Sequence, residues 1–123
     1  MKKIFVTGIM LVAMVAFATA QGFQNQTPEE RAKAQVERLE KLLSLTADQK
    51  VKAEAIELEI AKERSAQMQK NQGNREAMMT AFQEINKKRD EKYKVVLTAD
   101  QFKKYLDDNE QRRREMQDRQ RNR

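Results

Sequence analysis

The 123-residue sequence has no cysteine, no histidine and no tryptophan, a single proline (Pro28) and three glycines. Each absence removes a class of explanation. Without cysteine there is no disulfide framework of the kind that holds small exported domains together, and no thiolate to act as nucleophile or zinc ligand. Without histidine the commonest general base and metal ligand are missing, and the Glu-x-x-His pairs of di-iron bundles cannot be built. Beyond residue 20 the only serines are Ser44 and Ser65, and no glycine-rich phosphate loop occurs. The acidic pairs Glu29-Glu30, Glu57/Glu59 and Asp107-Asp108 fit helix first turns or solvated faces. The chain therefore reads as a non-enzymatic protein with no cofactor and no metal site.

What is present begins with an export signal. Met1-Lys2-Lys3 gives a basic start, Ile4 to Phe17 an apolar run, and Ala18-Thr19-Ala20 an A-x-A site. These are the three parts of a secretory signal peptide, and the run is shorter than the roughly 20 residues of a membrane-spanning helix. Cleavage is expected after Ala20, giving a periplasmic protein of 103 residues, Gln21 to Arg123. No cysteine follows the run, so a lipoprotein is not expected. Loss of Lys2 and Lys3 takes the net charge from +6 to +4. A domain this small buries a modest share of its surface, so long helices, a dimer or both are expected to supply the rest.

Organisation along the mature chain is helical throughout. A polar leader, 21–26, precedes a helical domain over 27–110 and a basic, mobile tail over 111–123. Thr27-Pro28-Glu29-Glu30 offers an N-cap, a proline at the first helical position and a capping-box glutamate. Behind it Ala32, Val36, Leu39 and Leu43 form one apolar stripe. A second helix starts at Leu45-Thr46-Ala47-Asp48-Gln49 and is expected to bury Val51, Ala55 and Leu58, with Ile56 and Ile60 beside them. It ends near Asn71, with Gly73 as terminator. Asn74 caps a third helix, with Met78, Met79, Phe82, Ile85, Tyr93 and Val96 on one side.

The most informative feature follows. Leu97-Thr98-Ala99-Asp100-Gln101 repeats Leu45 to Gln49 letter for letter, 52 residues on. In both copies Thr and Gln can form a capping box and Asp suits the first turn. Phe102 can pack on Leu97 as a hydrophobic staple, whereas the first copy has Lys50 there. Breaks of two or three residues fold neighbouring helices back on each other. The fold class is therefore all-α: two helical hairpins, about four helices, jointed at Leu45-Thr46 and Leu97-Thr98.

These two motifs, with the signal peptide, the mature length and the helix count, resemble the Spy/CpxP family of periplasmic proteins. That family is marked by two LTxxQ motifs, here Leu45, Thr46 and Gln49, and Leu97, Thr98 and Gln101. The resemblance implies a thin, elongated, cradle-like antiparallel homodimer. It implies ATP-independent binding of unfolded or aggregation-prone client proteins in the envelope stress response, or inhibition of a sensor kinase through its periplasmic domain. Some relatives are linked to zinc; this chain has neither His nor Cys to hold it.

Two surfaces have open readings. Met68, Met78 and Met79 flank the Gly73 turn with Phe82 nearby: an adaptable client-binding patch, since methionine repacks readily, or ordinary core. The tail holds Arg112, Arg113, Arg114, Arg119, Arg121 and Arg123 against Glu115 and Asp118. Export argues against nucleic acid as its partner. Weak contact with an anionic membrane surface or acidic clients stands beside a purely solubilising end. With Met116 the sole large apolar residue after Leu106, the last helix is expected to fray.

Overall fold

Short polar joints and strong helix-start signals divide the chain into four helices. The computed structural model describes residues 26–123; the signal peptide, its cleavage site and leader residues 21–25 lie outside the described residues. The helices are α1 (Pro28–Leu43), α2 (Ala47–Lys70), α3 (Arg75–Val96) and α4 (Ala99–Arg121), and no strand occurs among the described residues. Among them, no helix is long and apolar enough to cross a membrane.

Three helices start in the same way. Thr27, Thr46 and Thr98 stand at the N-cap in extended backbone, and each hydroxyl accepts from the backbone N–H three residues on. The side chains of Glu30, Gln49 and Gln101 accept in return from the threonine N–H groups, each at 3.0 Å. Two otherwise orphaned donors are thus satisfied per helix start. Asn74 caps α3 through Ala77 N–H at 3.0 Å. At the α1–α2 joint Ser44 is left-handed (φ 52) and its N–H closes α1 onto the Glu40 carbonyl. Gly73 takes up the other positive φ, 80, in the α2–α3 turn.

α1 packs along α2 and α2 along α3, while α4 makes smaller contacts with α1 and α3. The core joins Val36, Leu39 and Leu43 of α1 with Ala53, Ile56 and Ile60 of α2, Ile85 and Tyr93 of α3, Leu97, and Tyr105 of α4. Ala32, Val36, Leu39 and Leu43 are all buried, as the α1 stripe predicts. The staple residue Phe102 packs against the cluster that contains Leu97.

The structure corrects the sequence expectation in three places. On α2, Val51 is 66% exposed, Ala55 is exposed and Leu58 half-buried, while Ala53, Glu57 and Ala61 are buried with Ile56 and Ile60. α2 lies between α1 and α3, so its buried arc is wide and includes a carboxylate that hydropathy places outside. On α3, Met79 is exposed and Met78 half-buried, because α3 packs along α2 and only briefly against α4; Arg89 is buried instead. Finally, α4 does not end near residue 110 but continues to Arg121. Its distal turns are supported by pairs at helical spacing, Arg114–Glu110 at 2.5 Å and Gln111–Glu115 at 3.2 Å, and by Arg119 and Arg121 at the end where the dipole favours cations.

Candidate functional site

The two LTADQ motifs are remote in sequence and adjacent in space. The Gln49 amide donates to Gln101 Oε1 at 2.7 Å and to the Val96 carbonyl at 3.2 Å. Gln101 answers with donations to Gln49 Oε1 at 3.1 Å and to the Leu43 carbonyl at 3.2 Å. Each glutamine thus reaches the end of the helix that precedes the other motif. Both donors of each amide are used, and each oxygen accepts twice, from its own threonine N–H and from the opposite glutamine. A network with every member satisfied is the form in which polar groups specify a unique arrangement. Leu97 is buried and Leu45 packs against the core, while Thr46, Ala47, Asp48, Thr98, Ala99 and Asp100 face solvent. The motif is therefore a clasp that ties α1–α2 to α3–α4, besides two helix caps.

A capping box accepts Glu or Gln equally. Glu30 at the start of α1 makes no second contact of this type, but positions 49 and 101 must donate as well as accept. Glutamine meets that requirement, and an ionised glutamate does not.

Below the clasp lies a buried polar centre with no counterpart in the sequence reading. Glu57 of α2 accepts from Arg89 of α3 at 2.7 and 2.8 Å and from the Tyr93 hydroxyl at 2.7 Å. Glu57 is 4% and Arg89 7% exposed. The guanidinium lies 5.6 Å from the Tyr93 ring centroid and 5.4 Å from that of Tyr105, within cation–π range. The two tyrosine rings stand 4.9 Å apart, and the Tyr105 hydroxyl donates to Asp90 at 2.7 Å. Gln35 of α1, with its amide oxygen turned to the guanidiniums, accepts from Arg89 at 2.6 Å and Arg38 at 2.7 Å. Arg38 also pairs with Asp108 of α4 at 2.5 Å. All four helices meet here. Burial is the largest influence on Arg89 and works against its charge, yet Glu57 together with Tyr105 and Tyr93 outweighs it and leaves the pKa raised. Burial raises both tyrosines well above the ordinary phenol value, aided at Tyr93 by Glu57. The signal for this centre was a charge at an apolar-stripe position: Arg89 between Ile85 and Tyr93, and Glu57 between Ile56 and Ile60.

The other sequence-predicted residues do not converge in the same way. Phe82 packs against the core and Met78 is half-buried, whereas Met68 (42%) and Met79 (55%) are exposed. Arg112, Arg113, Arg114, Arg119, Arg121 and Arg123 are all exposed. Among the described residues no group of three or more acidic side chains is placed to hold a metal ion.

A family model described as a domain of unknown function, DUF4890, matches residues 18–105. The chain belongs to the DUF4890 family. No curated protein and no solved structure matches it. The DUF4890 match contains both LTADQ motifs and the Glu57–Arg89 pair, and it ends at Tyr105, the one buried residue of α4. The arginine-rich half of α4 lies outside the DUF4890 match.

Proposed function

We propose that this protein is an ATP-independent periplasmic chaperone that holds unfolded or aggregation-prone proteins during envelope stress, acting as a cradle-like antiparallel homodimer. The observation that carries this reading is the duplicated LTADQ joint, whose residues resemble those of the Spy/CpxP proteins. The exposed side chains support it. Met68 and Met79 offer unbranched, polarisable surface that adapts to varied apolar segments. Lys and Arg residues around them attract polypeptides at longer range. Contacts of this kind are individually weak, so a client leaves as its own folding buries the segments that were held. No nucleotide is required for such a cycle.

The test is light scattering of two unrelated, chemically denatured client proteins diluted into buffer with the purified protein and without ATP. Suppression of both at near-stoichiometric amounts is expected. Failure to suppress either, with tight binding to one folded sensor-kinase domain, would replace the chaperone with a regulatory adaptor.

A further inference from the structure

Oxidation has one kind of target in this chain. With no cysteine, tryptophan or histidine, the thioethers of methionine are the side chains that most readily take an oxygen atom from a peroxide. The two tyrosines, Tyr93 and Tyr105, are fully buried. Four methionines fall among the described residues: Met68, Met78, Met79 and Met116.

All four stand outside the core. Leucine, isoleucine, valine, alanine and tyrosine fill the buried cluster, and no methionine belongs to it or to the half-buried residues packed against it. Met68 near the end of α2 is 42% exposed, Met79 in the second turn of α3 is 55%, and Met116 on the distal half of α4 is 62%. Met78 is half-buried. This placement reverses the usual one, since methionine is among the residue types most often buried. It also decides what oxidation does. A sulfoxide formed in a core disrupts packing, whereas one formed at these positions changes only the character of the surface. An adaptable apolar side chain becomes a polar one and loses its preference for apolar partners.

We propose that Met68 and Met79 form an oxidation-sensitive switch: hydrogen peroxide converts them to sulfoxides and releases clients without unfolding the helices. The inference rests on the chaperone reading and adds its regulation. At each site the thioether sulfur attacks one peroxide oxygen, the O–O bond breaks and an S–O bond forms. Sulfur loses two electrons, the peroxide gains them, and the second oxygen leaves as water. Reversal takes a methionine sulfoxide reductase, whose thiol pair supplies two electrons and two protons, becomes a disulfide and releases the oxygen as water. This chain has no thiol of its own, so the reductant comes from that partner enzyme. Met116, the most exposed of the four, stands on a different element, in the part of α4 beyond the DUF4890 match, and serves as the control.

The test treats the purified protein with graded hydrogen peroxide. It follows sulfoxide at each methionine by peptide mass spectrometry, together with urea denaturation and suppression of client aggregation. Sulfoxide is expected at Met116, Met79 and Met68 before Met78, in the order of exposure. Once Met68 and Met79 are converted, roughly fivefold more protein should be needed for the same suppression, with helical circular dichroism and the urea midpoint unchanged. Reductase treatment should restore the original activity. The Met68→Leu, Met79→Leu double variant keeps an apolar surface without a thioether, so it should suppress as wild type does and stay insensitive to peroxide. Met116→Leu should remain as sensitive as wild type. Full suppression after conversion of both sites would overturn the switch. So would a loss that comes with melting of the helices, that persists in the double variant, or that Met116→Leu abolishes. Suppression by untreated protein with no effect of oxidation overturns this inference alone; no suppression before treatment overturns the chaperone reading and the switch with it.

Discussion

The two ends of the bundle are built on opposite terms. At the LTADQ end, each hydrogen-bonding group of Gln49 and Gln101 finds its partner within the chain, and Leu97 closes the core beneath. At the other end Met68 and Met79 lie exposed, and among the described residues five of the six tail arginines make no ion pair. The first end has spent its chemistry on itself, and the second presents its chemistry outward. Such a division lets one end stay ordered while the other adapts, since regions with few buried contacts are those that open and engage partners.

The sharpest way to break the ordered region is through the polar centre beneath the clasp. Arg89→Met leaves Glu57 buried with only the Tyr93 hydroxyl, and removal of one partner from such a pair costs about 3–5 kcal/mol. Urea denaturation should show that loss as a lower midpoint with little change in slope.

The clasp itself can be tested by the same swap made in opposite directions. Gln49→Glu keeps the capping box but forfeits both donations, to Gln101 and to the Val96 carbonyl, at a cost of about 2 kcal/mol. Glu30→Gln should stay within about 0.5 kcal/mol, because either residue completes that box. Equal effects at the two sites would reduce the LTADQ motif to a pair of independent caps.

The distinction between those boxes marks where sequence reading stops. Thr27, Thr46, Asn74 and Thr98 were legible because a cap is a contact over three residues, and the α1 stripe because α2 supplies most of its cover, with α4 adding little. The Gln49–Gln101 exchange spans 52 residues, and nothing within either pentapeptide says that the two meet. The Glu57–Arg89 pair was hidden for a related reason: hydropathy sends each charge outward, and only together do they become a buried group. Val51 was misplaced because the arc covered on α2 is set by two neighbours, whose positions the local pattern does not contain. The arginine half of α4 lacks core contacts, which predicts fraying, whereas pairing at helical spacing such as Arg114–Glu110 supports the helix to Arg121.

Tyr93 and Tyr105 are the only tyrosines of the chain, so ultraviolet titration reads the buried centre alone. Their folded pKa values lie above the ordinary 10.0, and groups raised in this way contribute stability that is full below about pH 10 and declines as pH rises above it. Tyrosinate absorbance should therefore appear together with loss of helical circular dichroism, above pH 10. Titration near pH 10 with the helices intact would show that the centre is open to solvent.

The smallest effect on stability is expected at the exposed end, and there the functional division is tested most directly. The measurement is client light scattering with wild-type protein and with the Met68→Ser, Met79→Ser double variant, paired with urea denaturation of both. A denaturation midpoint shifted by no more than about 0.5 kcal/mol equivalent, together with a clear loss of suppression, is the predicted result. Unchanged suppression at unchanged stability would contradict the assignment of client contact to this end of the molecule.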